Sequence, residues 1–252
     1  MKRKAILKLY RLVNVHGIAG CAKLVLSKAF NLLRKHSHKQ HTAPSSPDDF
    51  DSIYGTDTGG VFLPDPDDVV CCRNWVHGTR YEACNSRLVM SCFSILQITL
   101  TQFTFMDLGC GKGRALLLAA MAGFKKVIGV EHSMPLCEVA KSNLRILEQK
   151  CLIQKNTEVV CQDASEFKLP WDPLVLFMAN PFGEKLMRKV KENVLRSLQK
   201  APRRMIVLYI VPTCARVWMQ TPGFRLLKKT QAVLILDNEW GCARYANERE
   251  SS

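Results

Sequence analysis

The chain has 252 residues, 47% of them hydrophobic and 23% charged, which suits one globular domain with an appendage and excludes a collagenous, low-complexity or disordered polypeptide. The formal net charge is +14, but the excess is local: residues 1–47 hold ten of the 36 Lys and Arg and no Asp or Glu, leaving 26 basic against 22 acidic side chains in the other 205 positions. Eleven cysteines, odd in number and without a CxxC pair or metal-ligand spacing, read as reduced thiols of a cytosol-like compartment, so no metal is expected; no run of 18 apolar residues marks a membrane span.

Residues 1–36 have the pattern of a basic amphipathic helical arm. Ile6, Leu9, Tyr10 and Val13 share one face, with Lys4, Lys8 and Arg11 turned away, and the pattern resumes from Ala22 to Leu33. Three readings fit it: an arm packed on its own domain or a partner, a helix on an anionic membrane surface, and a cleaved organelle presequence. The same charge suits nucleic acid, with strongly salt-dependent binding. The matching locations are the cytoplasm, peripheral to a membrane in the second reading, or an organelle. Residues 37–51 shift to His, Thr, Pro, Ser and Asp and read as a linker. Residues 52–100 form a loop-rich cap or lid segment ending in a helix over about Ser86–Leu100.

From 101 to 250 strands and helices alternate, which predicts an α/β fold: a doubly wound, mostly parallel sheet covered on both faces. Strands are expected at Phe103–Asp107, Lys126–Glu131, Thr157–Cys161, Leu174–Ala179 and Arg204–Val211. Helices are expected from the glycine turn to about Ala122, over Met134–Glu148 and over Glu184–Gln199. Two more apolar runs follow at Phe224–Leu227 and Ala232–Asp237, then Trp240–Tyr245. The basic face of the third helix (Lys185, Arg188, Lys189, Lys191, Arg196) reads as solvated or as a contact for an acidic partner.

The sharpest local signal is Asp107-Leu-Gly109-Cys110-Gly111-Lys-Gly113-Arg114 between a strand and a helix. Glycines there let the chain turn tightly and a ligand approach the backbone, and the helix start offers free N–H groups. Arg114 occupies the last place of the dinucleotide fingerprint G-x-G-x-x-G/A, so that fingerprint fails. A carboxylate two residues before the first glycine suits a ligand carrying an ammonium and a sulfonium better than a pyrophosphate. Glu131 and Asp163 end the next two strands along the edge where open α/β sheets bind ligands. His132, next to Glu131, fits either a border of the ligand site or ordinary packing. The fourth strand runs into Asn180-Pro181-Phe182-Gly183, where an Asn carbonyl can accept from an N–H and aim its lone pair.

The D-x-G-x-G-x-G spacing resembles the cofactor motif of class I S-adenosylmethionine-dependent methyltransferases, and Asn180-Pro181-Phe182 resembles the Asn/Asp-Pro-Pro-aromatic motif of those acting on amino groups, with one proline fewer. With the segments Phe50–Gly59 and Gly78–Glu82 added, residues 48–212 are similar to a largely uncharacterised set of these enzymes and, more distantly, to the non-SET histone-lysine methyltransferases. The resemblance implies a seven-strand Rossmann-like fold closed by an antiparallel hairpin, S-adenosyl-L-methionine as cofactor and N-methylation of an amine such as a protein lysine. A small-molecule or nucleic-acid acceptor, and a non-catalytic module retaining the fold, are the alternatives. It also implies that Asp107, Gly109, Cys110 and Gly111 hold the cofactor with Glu131 on the ribose and Asp163 and Ala164 at the adenine. Tyr81 and Glu82 would close over its methionine end, and Asn180, also a cofactor contact, would orient the acceptor with Pro181 and Phe182. Tyr54 and Asp57 fit a substrate lid or a structural turn.

Overall fold

The alternating apolar runs fold, in a computed structural model of the protein, into a seven-stranded sheet with helices on both faces. Residues 49–62 and 80–238 are described; the arm, the linker as far as 48, the stretch 63–79 and the Trp240–Tyr245 run lie outside the described residues. In chain order the elements are α1 (Phe50–Tyr54), β1 (Val61–Phe62), β2 (Tyr81–Glu82), α2 (Ser86–Ile95), β3 (Thr104–Leu108), α3 (Arg114–Met121), β4 (Lys126–Glu131), α4 (Met134–Gln149), β5 (Thr157–Cys161), β6 (Leu174–Ala179), α5 (Glu184–Lys200), β7 (Met205–Ile210), α6 (Ala215–Met219), β8 (Arg225–Lys229) and β9 (Val233–Asp237). A 3₁₀ turn, Leu100–Gln102, precedes β3.

The large sheet has the order β5-β4-β3-β6-β7-β9-β8. The first five strands are parallel, and β9 runs antiparallel to both β7 and β8. This is the mostly parallel sheet that the alternation of strands and helices predicts, in the Rossmann-like form with a closing hairpin that the resemblance implies. The two-stranded β1–β2 pairing, Val61 with Glu82 and Phe62 with Tyr81, joins the segments flanking 63–79.

The pleat sends alternate residues of the central strands into two cores. Phe105, Phe177 and Leu208 face α2, α3 and α4 with Phe93, Leu116 and Leu147. Met106, Leu176, Met178 and Tyr209 face α5 and α6 with Leu186, Val190 and Trp218. Rings of Phe93, Phe105, Phe124 and Phe177 stack at centroid distances of 5.2–5.6 Å in tilted or edge-on pairs. Full burial of each such ring stabilises the fold by roughly 1.5–3 kcal/mol.

One helix is shorter than its pattern predicts, for a local reason. Helix α2 stops at Ile95, short of Leu100, because Gln97 adopts a left-handed φ of 49° that ends the α-helical path. On α5, Leu186, Met187, Val190 and Val194 are buried while Lys185, Arg188, Lys189 and Arg196 are exposed, and Arg188 pairs with Glu184 one turn earlier.

For function the consequence is positional. From β3 the chain moves outward to β4 and β5, then returns across β3 to β6 and β7, so the order reverses between β3 and β6. Ligands of open α/β sheets bind beyond the carboxyl ends of the strands at such a reversal.

Candidate active site at the strand ends

A cleft open to solvent lies at that reversal, beyond the carboxyl ends of the strands where open α/β sheets bind ligands. Among the residues singled out from sequence, Tyr81, Glu82, Asp107, Gly109, Cys110, Glu131, Pro181 and Phe182 line it. Arg80, Cys84, Arg114 and His132 line it as well. Gly111, Asp163, Ala164 and Asn180 are not in its lining. The Oδ1 of Asp163 accepts from the Ser165 N–H (2.8 Å) and hydroxyl (2.7 Å), and Ala164 is buried in the core beneath.

The glycines make the cleft floor. Gly109 has φ 84°, and a Cβ there would stand 2.5 Å from the Pro181 Cβ. Gly111 has φ 53°, and its Cβ would fall 2.1 Å from the Tyr81 ring. The first close approach brings the β6 exit against the β3 exit. The second lets Tyr81 lie over the glycine loop, with its hydroxyl donating to the Thr58 carbonyl at 2.5 Å. Burial pushes the Tyr81 phenol well above its ordinary range, so it remains a donor.

Asp107 and Glu131 sit on neighbouring strands at the cleft base, with Asp107 paired in register with Gly129. Both are buried. Glu131 is held from several sides: its Oε2 accepts from the Gly111 N–H (2.9 Å), and its Oε1 accepts from the N–H groups of His132 and Ser133 (both 2.9 Å). The His132 Nδ1 also lies 2.9 Å from that Oε1. Burial draws the His132 pKa down, but hydrogen bonding to Glu131 and its charge outweigh this and raise it. Its Nε2 is buried with no hydrogen-bond partner among the described residues. Asp107 differs from Glu131, because its Oδ1 is buried with no hydrogen-bond partner among the described residues. Burial, and then the Glu131 charge, hold its carboxyl well above the ordinary carboxylate range. Burial and the same two carboxylates push the Cys110 thiol up, which keeps it protonated rather than nucleophilic.

The same cleft is lined by a cation, Arg114, the residue whose place breaks the dinucleotide fingerprint. Arg114 is buried at the start of α3. Its Nε donates to the Thr58 hydroxyl (2.7 Å), Nη1 to the Cys84 carbonyl (3.4 Å) and Nη2 to Asp51 (3.3 Å), and its guanidinium lies 5.4 Å from the Phe50 ring centre. Asp51 in turn accepts from Thr56 and Thr58. Asp57 is fixed by Asn143 of α4 through paired backbone bonds of 2.8 and 2.9 Å and by Lys112 at 2.7 Å, and the Tyr54 carbonyl accepts from Lys150. The 49–59 segment is thus fastened to the glycine loop and α4 by polar contacts. Sequence reading missed this clasp because its partners are up to 96 residues apart and no local period marks them.

At the acceptor side, Asn180 leaves β6 with φ 49°, a left-handed conformation in which Asn is enriched. Its Oδ1 accepts from the Thr213 hydroxyl at 2.6 Å. Pro181 packs on Gly109, and Phe182 is buried between the cleft and the second core. Thr213 follows the β7 exit and belongs to no motif that a sequence scan could flag.

These residues fit S-adenosylmethionine. A buried carboxylate oxygen without a partner needs a cationic or hydrogen-donating ligand, and two glycines leave the backbone bare beside it. A pyrophosphate would instead meet the charges of Asp107 and Glu131.

Residues 105–201 match a family model described as a methyltransferase domain. No curated protein matches the chain. Solved structures similar to it include magnesium protoporphyrin IX methyltransferase from Synechocystis with bound S-adenosylmethionine, at 15% identity over 60% of this chain and 77% of that one, TM-score 0.44. A SAM-dependent methyltransferase from Aquifex aeolicus matches at 16% identity over 61% and 93%, TM-score 0.46. A ribosomal protein methylase from Lactobacillus delbrueckii matches at 14% identity over 60% and 76%, TM-score 0.44. With the sheet order, the glycine loop and the family match over 105–201, the chain is an enzyme carrying a class I S-adenosylmethionine-dependent methyltransferase domain.

Proposed function

We propose that this methyltransferase acts on an amine nitrogen, with a protein lysine side chain as its acceptor. The observation that carries the reading is Asn180, whose strained backbone and carboxamide stand at the β6 exit directly before two cleft-lining residues, Pro181 and Phe182. S-adenosylmethionine, when bound, supplies a methyl group made electrophilic by its sulfonium. The chain's own part is positioning and desolvation. Asp107 meets the cationic end of the cofactor, the bare backbone at Gly109 and Gly111 admits it, and Tyr81 with Glu82 covers it. Glu131 keeps acceptor capacity on Oε2 for the ribose, and Asp163 serves the adenine end. Asn180 holds an acceptor N–H, while Phe182 and Pro181 wall off water. An ammonium entering that apolar wall has its pKa lowered by desolvation, which favours the neutral amine that can attack. The likeness of 48–212 to non-SET histone-lysine methyltransferases supports the same acceptor class.

The test is transfer of tritiated methyl from S-adenosylmethionine into a cell extract separated into protein, RNA and small-molecule pools. Label in the protein pool, recovered as methyl-lysine after hydrolysis and reduced at least about tenfold by Asn180→Ala, supports the proposal. Label confined to RNA or small molecules refutes the acceptor class.

A further inference from the structure

Two neighbouring strands leave the sheet together in an unusual way. Ala179 of β6 is paired in register with Ile210 of β7, and the next residue of each, Asn180 and Val211, has φ near +49°. Asn tolerates that region, whereas a β-branched valine there is a genuine outlier. Such outliers persist where the surroundings over-determine them, and they cluster at functional sites.

The loop after Val211 explains what the strain achieves. The Thr213 N–H donates to the Val211 carbonyl at 2.8 Å and the Ala215 N–H to the Pro212 carbonyl at 3.1 Å, so backbone bonds close the turn on either side of Cys214. That turn presents the Thr213 hydroxyl to the Asn180 Oδ1 at 2.6 Å, a length typical of O–H···O and short for N–H···O. Behind it, the buried Tyr209 phenol accepts from the Cys214 N–H at 3.3 Å and lies 3.5 Å from the Thr213 Oγ. With the single Thr213 proton directed to Asn180, the Tyr209 hydroxyl is the donor of that contact. The order is Cys214 N–H to Tyr209, Tyr209 to Thr213, Thr213 to Asn180.

We infer that Thr213, backed by Tyr209, is a positioning residue that sets which edge of the Asn180 carboxamide faces the methyl acceptor. A carboxamide turned by 180° exchanges an acceptor for two donors. A site that must receive an N–H from its substrate therefore needs something to prevent that turn. Burial pushes the Tyr209 phenol up, so it stays a donor through the neutral range. The inference rests on the amine reading for the chemistry but not for the geometry.

The experiment compares wild type, Thr213→Val and Thr213→Ser. Donor affinity is measured by calorimetry, and transfer of tritiated methyl into the protein extract is measured at saturating donor. The Asn180 side-chain amide signals are followed by ¹⁵N NMR. Thr213→Val is expected to lower transfer about tenfold, the usual weight of one uncharged hydrogen bond, with donor affinity within about twofold. Thr213→Ser is expected to restore most of the rate. In the NMR spectrum the Asn180 amide pair shifts or broadens in Thr213→Val and keeps its position in Thr213→Ser. Wild-type transfer and unchanged amide signals in Thr213→Val would overturn the inference, as would equal loss in Val and Ser variants. If wild type labels no protein, the amine reading fails, and the amide signals still decide the role of Thr213.

Discussion

Asp107→Asn separates binding from stability, because the carboxylate that serves the cofactor is costly to the fold without it. Among the described residues its Oδ1 has no hydrogen-bond partner, and the charge that acts on it is that of another carboxylate, Glu131. An unsatisfied buried polar group costs about 1–3 kcal/mol, more when charged. Asparagine keeps the shape and cannot ionise, so the ligand-free variant escapes the extra cost of the charged form and should gain stability over wild type as pH rises. The sign in pH follows from the raised carboxyl. The folded protein binds the proton more tightly than the unfolded chain, so wild-type stability falls as pH rises from the ordinary carboxylate value toward the raised folded one. That falling segment should flatten in Asp107→Asn. A charge-assisted hydrogen bond to the cofactor is lost at the same time, about 1.5–3 kcal/mol or roughly 10- to 150-fold in Kd. Urea unfolding across pH, with calorimetric titration of S-adenosylmethionine, measures both. A ligand-free variant that gains no stability over wild type as pH rises, or one binding S-adenosylmethionine as tightly as wild type, would refute the reasoning.

Other consequences concern the same cleft. Gly111→Ala places a Cβ into the Tyr81 ring at a positive φ, so we expect about 1–3 kcal/mol of lost stability and weaker cofactor binding, read by thermal denaturation with and without S-adenosylhomocysteine. Cofactor binding should release protons and strengthen with rising pH until Asp107 is ionised, an effect visible as buffer-dependent heats and absent in Asp107→Asn. Burial raises the Asp51 carboxyl, but the hydrogen bonds from Thr58 and Thr56 outweigh it and lower the pKa. Its stabilising contribution is present above the ordinary carboxylate pKa and is lost as pH falls through the lower folded value. Asp51→Asn should therefore weaken the 49–59 clasp at neutral pH and reduce the acid sensitivity of unfolding, measured by urea midpoints at pH 3–7.

The sheet was largely legible because its central strands are buried on both faces. β4, β5 and β6 coincide with their apolar runs, and β3 and β7 differ by a residue at the ends. β8 was less so: all five of its residues are exposed, and Lys228 and Lys229 extend it beyond the apolar Phe224–Leu227. The five-residue α6 is too short to show a period. At the site, Asp107, Glu131 and Asn180 could be placed on strand ends because each follows a clear hydrophobic run. What they touch could not. The Glu131 contact with the Gly111 N–H, the Arg114 bond to Thr58 and the Thr213 bond to Asn180 all join residues that only the folded chain brings together.

The central claim, that this cleft is an S-adenosylmethionine site, is tested most directly by calorimetric titration of the wild-type chain with S-adenosylmethionine and S-adenosylhomocysteine. One site per chain with micromolar affinity for both is the predicted result; folded protein giving no binding heat and no thermal shift with either ligand would contradict it.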